Sequence, residues 1–356
     1  MIHDGSPSPG LIVPELGHSY AMGLLANNEW REGWLDEGLT SFQTSLFNES
    51  QRPGSDSYSQ SEPFLTGLDL DGLSEPASLV SEDYRDFNSY NIGIYSRGEQ
   101  FFHQLRYIVG DATLQRIMRT FYDRWKYKHV DETAFREVAE EVSGMDLGIF
   151  FAQGLHGTAL VDYAVGRVRA VRRLGDWAVG QLGDSAIRRL GNSAIGGGQG
   201  KSSNPPIAQS ANDPIVQPPN RPTAQPPQWE TRVEILRKAE GRLPVEVWVI
   251  GDHDTAMVRT DGMAAREWVT VATRSKPKQV LLDPRLRTRD WNMLNNAWRK
   301  RLFFFRTREP KREHYLDTWF GQRSARDHRT VGYLPVAWYN YAAGITLGFP
   351  ERQNYF

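Results

Sequence analysis

The spacing of apolar residues predicts helices in the first part of the chain. Residues 111–128 carry an apolar stripe at helical spacing, with Asp111 placed to cap the N-terminus. The stripe consists of Leu114, Ile117, Met118, Phe121, Tyr122 and Trp125. A second helix is predicted to begin at Asp131 and to end before Gly144, because glycine suits the left-handed conformation of a C-cap. Similar patterns on either side predict a helical domain over residues 1–157.

After Gly157 the pattern changes to the period of two that is typical of strands. Alternating apolar positions lie within 161–168, 233–235, 245–249, 267–273 and 279–283. Short alternating strands separated by turn residues favour antiparallel pairing. The sequence therefore predicts a small antiparallel β-sandwich over residues 158–296. The fold class is an α+β multidomain protein.

An insertion at residues 174–228 separates the first two predicted strands. It begins with three related octapeptides, RLGDWAVG, QLGDSAIR and RLGNSAIG, which are too short to be solenoid repeats. A proline-rich stretch follows, with 8 of the 20 prolines of the chain. Such a composition cannot bury a core, so a long disordered insertion is predicted. A proline-rich docking site is the alternative.

Composition and charge exclude several classes of partner. Lys+Arg total 42 and Asp+Glu 43, so the net charge of −1 creates no general attraction for nucleic acid. With no cysteine, a metal would have to bind histidine and carboxylate groups. Residues 297–356 form a basic, aromatic extension, which resembles the start of a truncated further domain. Any membrane association is expected only through this extension.

One stretch, LIVPELGHSYAMGLLANNEWREGWLDEGLTSFQ (residues 11–43), carries candidate chemistry. Glu15 and His18 are spaced i and i+3, so on a helix they share one face. Eighteen residues separate His18 from Glu37, enough for a turn and an antiparallel second helix. Such a hairpin would bring the Glu37 carboxylate beside the His18 imidazole, as a zinc site requires. A third ligand is expected at position 14, but Pro14 has no donor atom.

These motifs resemble the aminopeptidase N (membrane alanyl aminopeptidase) family of gluzincin zinc metallopeptidases, whose motif is H-E-x-x-H-x18-E. The resemblance rests on ELGHSY, its spacing to WLDEG, the later YSRG, and YKHVDETAFREVAEEVSGMDLGIFFAQGL. It covers residues 11–157 and, more loosely, the chain to about 296. It implies one zinc ion bound by His18 and Glu37, with Glu15 as general base. Tyr95 would stabilise the oxyanion, and the substrate would be a peptide or protein.

Two departures from the family pattern limit this expectation. Pro14 replaces a zinc ligand, and the loss of a ligand is expected to weaken zinc binding by at least the roughly 10–100-fold that outer-shell changes cost. The family's G-x-M-E-N segment, whose glutamate holds the substrate amine, does not occur in the sequence. We therefore expect a fragment that lacks the family's N-terminal domain.

Three functions stay open from the sequence. The first is a zinc-dependent, aminopeptidase-like metallopeptidase. The second is a catalytically impaired pseudo-peptidase or binding module. The third explanation makes Pro14 a one-base error for histidine (CAC to CCC), which would restore the enzyme. A periplasmic or cell-envelope location is favoured over a cytoplasmic one, and the oligomeric state is left open.

Overall fold

The computed structural model of the protein describes most of the chain outside the predicted insertion. The described residues are 9–54, 58, 62–173, 229–299, 312–317, 328–342 and 344–354. The predicted insertion at 174–228 lies outside these residues. Among the described residues, no helix combines the length and apolar character needed to cross a bilayer.

Helices occupy the first part of the chain, as predicted. They are α1 (Pro9–Ala21), α2 (Leu39–Gln51), α3 (Glu62–Leu70), α4 (Phe87–Asn91), α5 (Gly98–Val109), α6 (Asp111–Trp125), α7 (Glu132–Ser143) and α8 (Gly148–Leu155). Two π-helical turns, Trp34–Gly38 and Ile92–Arg97, lead directly into α2 and α5. A short 3-10 turn spans Ser81–Asp83.

The ends of α6 and α7 test the predicted caps. Asp131 precedes α7 and accepts a hydrogen bond from the Ala134 N–H at 2.8 Å, and Gly144 follows it with φ of 69°. Both predicted caps of α7 are confirmed. The prediction for Asp111 is wrong, because Gly110 is the residue before α6 and Asp111 is already helical. The Asp111 carboxylate instead accepts a hydrogen bond from the Arg106 guanidinium at 2.6 Å.

An aromatic cluster forms the centre of the helical part. Trp34 is fully buried and contacts Phe101 and Phe102, with ring centroids 5.3 and 6.0 Å away. Phe135 from α7 and Phe151 from α8 extend the cluster. Burial of such large rings is the main stabilising contribution that a small helical core receives. Trp34 thereby anchors the turn that contains Glu37.

Strands follow the helices, and two antiparallel sheets account for the predicted β region. The strands are β1 (Tyr163–Arg172), β2 (Trp229–Arg237), β3 (Val245–Ile250), β4 (Thr255–Thr260), β5 (Arg266–Thr273), β6 (Gln279–Leu282) and β7 (Ala297–Arg299). One sheet has the order β1-β2-β5 and the other β4-β3-β6-β7. The sheets contact each other through β4 with β5 and through β1 with β6 and β7. The predicted change from helices to antiparallel strands is confirmed, and β7 extends the sheet beyond residue 296.

The pairing of β1 with β2 brings the two ends of the predicted insertion together. The antiparallel register runs from Tyr163 opposite Arg237 to Arg172 opposite Trp229. Residues 174–228 therefore connect the ends of two neighbouring, hydrogen-bonded strands.

The last part of the chain contains further short strands. They are β8 (Arg312–Leu316), β9 (Arg329–Tyr333), β10 (Val336–Asn340), β11 (Gly344–Gly348) and β12 (Glu351–Asn354). The order β12-β9-β8 forms one sheet, in which β8 and β9 are parallel, and β10 pairs with β11. Several apolar side chains on the β10–β11 pair are exposed, including Tyr339 and Leu347.

Candidate metal centre

Helix α1 carries Pro14, Glu15 and His18. The helix begins at Pro9, so Pro14 lies inside it. Five helical residues precede it, so Pro14 lies beyond the first turn, where proline is usually tolerated. Inside a helix, proline lacks the N–H that would bond to the carbonyl four residues earlier, and its ring crowds that carbonyl. Pro14 thus weakens the helix as well as offering no metal ligand.

The π-helical turn Trp34–Gly38 places two carboxylates beside the His18 imidazole. The His18 Nε2 atom lies 3.4 Å from the Glu37 carboxylate. The His18 Nδ1 atom lies 2.8 Å from the carboxylate of Asp36, which is almost fully buried. One donor atom each from His18, Asp36 and Glu37 can be chosen within 4.8 Å of one another. Asp36 and Glu37, which are adjacent in one turn, therefore contact the two ring nitrogens of His18.

Asp36 determines how the imidazole is oriented. Because a carboxylate accepts hydrogen bonds, its contact at Nδ1 favours the tautomer with the proton on Nδ1. In the neutral ring, the lone pair of Nε2 then faces Glu37. A carboxylate that orients a histidine in this way also increases the basicity of the metal-binding nitrogen. The sequence-based reasoning missed Asp36, although it directly precedes Glu37 in WLDEG.

The electrostatics of these groups reflect their close packing. Burial alone would lower the pKa of His18, but the hydrogen bond and charge of Asp36 outweigh it and raise the pKa overall. The charges of Glu37 and Glu15 act in the same direction. Burial raises the pKa of Asp36 to about 6, against the opposing hydrogen bond and charge of His18. The neighbouring carboxylates thus favour the protonated, positively charged form of the imidazole.

The second π-helical turn, Ile92–Arg97, places the Tyr95 hydroxyl at the Glu37 carboxylate. Burial raises the pKa of Tyr95 well above its usual range, and the interaction of its hydroxyl with the Glu37 carboxylate raises it further. Tyr95 therefore keeps its proton at neutral pH and remains a hydrogen-bond donor. Its side chain is 37% exposed, which leaves part of the ring open to a bound molecule.

A contact between two glycines holds the two π-helical turns together. A Cβ atom placed on Gly38 would lie 2.7 Å from the Cα of Gly98, and one on Gly98 would lie 2.8 Å from the Cα of Gly38. Real Cβ atoms essentially never come so close to backbone. Glu37 directly precedes one glycine, and Tyr95 lies three residues before the other. The close approach of the backbones therefore fixes how Glu37 and Tyr95 face each other, and π-helical turns of this type are common at functional sites.

The structure brings some of the predicted residues together and not others. Glu37 interacts with both His18 and Tyr95, so these three residues lie together. Glu15 is exposed, and it interacts with His18 through its charge. Pro14 contributes no donor.

The donor set fits a zinc ion only in part. Nε2 of His18 and the Glu37 carboxylate are the nitrogen and oxygen ligands that zinc accepts, and their separation of 3.4 Å suits two ligands of one ion. A catalytic zinc normally has three protein ligands and one open position. Asp36 is occupied at the opposite edge of the ring, so it does not replace the missing third ligand in this geometry.

Comparisons with known proteins identify similar aminopeptidases and metallopeptidases. Leucine aminopeptidase 2 of Sclerotinia sclerotiorum is 25% identical over 144 residues, which are 35% of this chain and 22% of the relative. Aminopeptidase A of Legionella pneumophila, solved in complex with aspartic acid, is similar over 77% of this chain and 25% of its own, with 14% identity and a TM-score of 0.46. An M1 zinc metallopeptidase of Deinococcus radiodurans, solved as a mutant bound to a Tyr-Ser-Ala substrate, gives 22% identity over 45% of this chain and 35% of its own, with a TM-score of 0.37.

The chain therefore spans between about a fifth and about a third of the length of these relatives. Residues 7–153 match the family model described as the Peptidase family M1 domain, and this match contains every residue of the candidate metal centre. The resemblance found from the sequence motifs is confirmed. Residues 7–153 are therefore similar to the peptidase domain of family M1.

Proposed function

We propose that the chain is a zinc-dependent, aminopeptidase-like metallopeptidase that hydrolyses peptide bonds of a peptide or protein substrate at a weakened site for one zinc ion. The contacts of the Glu37 carboxylate with the His18 imidazole and with the Tyr95 hydroxyl carry this proposal. We also propose three domains, with limits 1–157, 158–296 and 297–356, and a sandwich arrangement of the two sheets. The proposed location is the periplasm or the cell envelope. No nucleic acid partner is proposed.

Each residue has a distinct role in the proposed reaction. His18 Nε2 and Glu37 would hold the zinc ion, which when bound would polarise a water molecule and lower its pKa towards about 7. Glu15, one helical turn from His18, would accept the proton of that water and pass it to the leaving amine. Its exposed position leaves it free to rotate towards the cleft. The protonated Tyr95 hydroxyl would donate a hydrogen bond to the developing oxyanion.

Asp36 supports this chemistry without touching the substrate. Its hydrogen bond to Nδ1 fixes the ring of His18, so that Nε2 faces Glu37. The burial of Asp36 excludes water from this contact and keeps the imidazole in one orientation. Asp36 is therefore a positioning residue.

Pro14 favours the alternative function, a catalytically impaired pseudo-peptidase that keeps the cleft as a peptide-binding module. With two protein ligands in place of three, zinc affinity would fall by at least roughly 10–100-fold. The fold does not depend on the missing ligand, because the aromatic core and the glycine contact hold the cleft together. The impaired site would therefore still be folded.

Hydrolysis of aminoacyl-p-nitroanilides, measured with increasing zinc, distinguishes the two functions. The enzyme proposal expects activity that saturates with zinc and falls by about 100-fold or more in Tyr95→Phe, because one oxyanion donor is lost. Zinc content should be unchanged in that variant. If the wild-type chain is inactive at every zinc concentration while Pro14→His is active, the impaired function is correct. If neither is active, the peptidase proposal fails.

A further inference from the structure

A cavity next to the metal centre is not used by the proposed reaction. Its volume is about 390 Å³, close to the lower limit for a pocket that binds a small molecule. Two short segments line it: residues 29–30 before the first π-helical turn, and residues 81–90 before the second. The lining residues are Glu29, Trp30, Ser81, Tyr84, Asp86, Phe87 and Tyr90.

Aromatic rings supply most of the cavity's apolar surface. Tyr90 lies between two of them, edge to face with Tyr84 at 5.5 Å and stacked with Phe87 at 6.4 Å between ring centroids. Trp30 on the opposite segment is 55% exposed and Phe87 is 75% exposed. Exposed aromatic faces of this kind attract cations through the negative charge of the ring face.

The walls of the cavity are held in place by hydrogen bonds outside it. The Ser81 N–H and hydroxyl both donate to the Trp30 carbonyl, at 2.9 and 3.1 Å. The Tyr84 hydroxyl donates to the Pro76 carbonyl at 2.8 Å. The phenol of Tyr84 is thus directed away from the cavity, and its ring is fixed as a wall. The two segments form a preformed pocket.

The two carboxylates that line the cavity differ in whether they have hydrogen-bond and ion-pair partners. Asp86 caps α4 by accepting from the Ser89 N–H, and it forms an ion pair with Arg85 at 3.2 Å. Among the described residues, Glu29 has no hydrogen-bond or ion-pair partner. Since Arg85 balances Asp86, Glu29 leaves the cavity with one negative charge that is not compensated.

The cavity adjoins the metal centre. Burial raises the pKa of Tyr90, and the charges of Glu37, Glu29 and Asp36 raise it further. The charge of Glu29 also acts on Asp36. In the sequence, Tyr90 lies five residues before Tyr95, and Glu29 lies eight residues before Glu37. A peptide whose scissile bond lay at the Tyr95 hydroxyl would have a neighbouring side chain within reach of this cavity.

We propose that the cavity is a specificity subsite for a cationic side chain of a peptide, arginine or lysine, with Glu29 as its ion-pair partner and Trp30, Phe87 and Tyr90 as its aromatic walls. This proposal rests on the proposed function only in treating the ligand as a peptide. A neutral side chain of the same shape would gain the ring contacts without the charge interactions. Arginine fits the site better than a purely apolar side chain, because an apolar one would leave Glu29 desolvated without a partner.

Binding of L-arginine amide, compared with L-citrulline amide, tests the proposal. The two probes share size and shape, and only the first carries a side-chain charge. Calorimetry on the full chain in EDTA measures binding without turnover or metal. The expected result is an affinity about tenfold higher for arginine amide, since cation–π and ion-pair contacts together contribute about 1–2 kcal/mol. Glu29→Gln should remove most of this preference and leave only the part that the aromatic walls contribute.

Two control variants make the result decisive. Glu82→Gln removes the same charge from a nearby residue that does not line the cavity, and it should keep the preference for arginine. Glu37→Gln removes a carboxylate of the metal centre, and it should also keep that preference. Equal binding of the two probes, or a preference abolished by Glu37→Gln but kept by Glu29→Gln, would overturn the proposal. Because the assay needs neither zinc nor hydrolysis, a failure of the proposed function would leave the subsite result unaffected.

Discussion

The Nε2 atom of His18 lies 3.4 Å from the Glu37 carboxylate, although eighteen residues separate them in the chain. The intervening chain ends α1 and returns through the turn anchored by Trp34. The contact is close enough for both groups to bind one metal ion. What the site lacks is a third donor at position 14.

Pro14→His should raise zinc affinity by at least about one to two orders of magnitude, because a third protein ligand is restored. The readout is zinc per chain after dialysis. Pro14→His combined with Glu37→Ala serves as the control and should lose the gain. Equal zinc content in the wild-type chain and in Pro14→His would show that His18 and Glu37 do not form a zinc site with position 14.

The same substitution should also stabilise the protein. Pro14 lies inside α1, so histidine restores an N–H donor and removes the contact of the ring with the preceding turn. A gain of about 1–3 kcal/mol in the free energy of unfolding is expected. Urea unfolding in EDTA separates this gain from metal binding. A loss of stability in Pro14→His would mean that α1 is not helical before residue 14.

Gly38→Ala should destabilise the fold by about 1–3 kcal/mol or more, because the added methyl group cannot fit against Gly98. It should also reduce zinc binding by displacing Glu37. Gly67→Ala in α3 is the matched control, since a Cβ there meets nothing within 4 Å. In a helix this change should be stabilising by about 0.5–1 kcal/mol. Similar effects of the two substitutions would contradict the close contact between the π-helical turns.

Removal of residues 174–228 and their replacement by a four-residue turn should leave the fold intact. The register that sets Arg172 opposite Trp229 already places the two strand ends side by side. Limited proteolysis of the intact chain should cut first within 174–228, as the composition of the segment predicts. A shortened chain that fails to fold, or resistance of this segment equal to that of β1 and β2, would show that the insertion contributes to the core.

Stability should depend on pH through Asp290. Burial raises its pKa to about 7, although hydrogen bonds from the Tyr163 N–H and the Asn296 side chain act in the opposite direction. The group is therefore protonated in the folded chain and ionised in the unfolded chain between about pH 4 and 7. Its contribution to stability is complete at the acidic end of this window, is lost as pH rises to about 7, and amounts to at most about 4 kcal/mol. Above about pH 7, Asp290 is ionised in both states, so it no longer changes the free energy of unfolding with pH.

The difference between the wild-type chain and Asp290→Asn isolates this group from other carboxylates. Melting temperatures between about pH 5 and 8 should fall with rising pH more steeply in the wild type than in the variant. Parallel curves would show that Asp290 stays ionised in the folded chain.

The sequence predicted the elements whose signal is repeated along the chain. The apolar stripe of α6 and the caps of α7 follow from local rules of helix formation. The meeting of His18 with Glu37 followed from their spacing and from the family resemblance. The helix features depend on residues that are close in sequence. The contact of His18 with Glu37 depends on a separation that a helical hairpin can span.

Other features depend on tertiary packing that no local pattern reveals. Helix α1 begins early enough to enclose Pro14, against the usual preference of proline for a first turn. The π-helical turns follow from the contact between Gly38 and Gly98, which are sixty residues apart. The role of Asp36 depends on the rotation of the His18 ring. A carboxylate directly before a predicted ligand was the one signal that could have indicated it.

The contact between Gly38 and Gly98 is needed for folding, whereas the residue at position 14 matters for metal binding. Neither glycine has a side chain that could take part in chemistry, yet any larger residue would disrupt the packing of the domain. Folding alone is enough to retain both glycines, whereas a ligand position such as 14 is retained only while catalysis is needed. In a lineage that loses activity, the glycines that end the W-L-D-E-G and Y-S-R-G motifs should therefore outlast the first histidine. Surveys that assign activity from these two glycines would then count inactive descendants as enzymes.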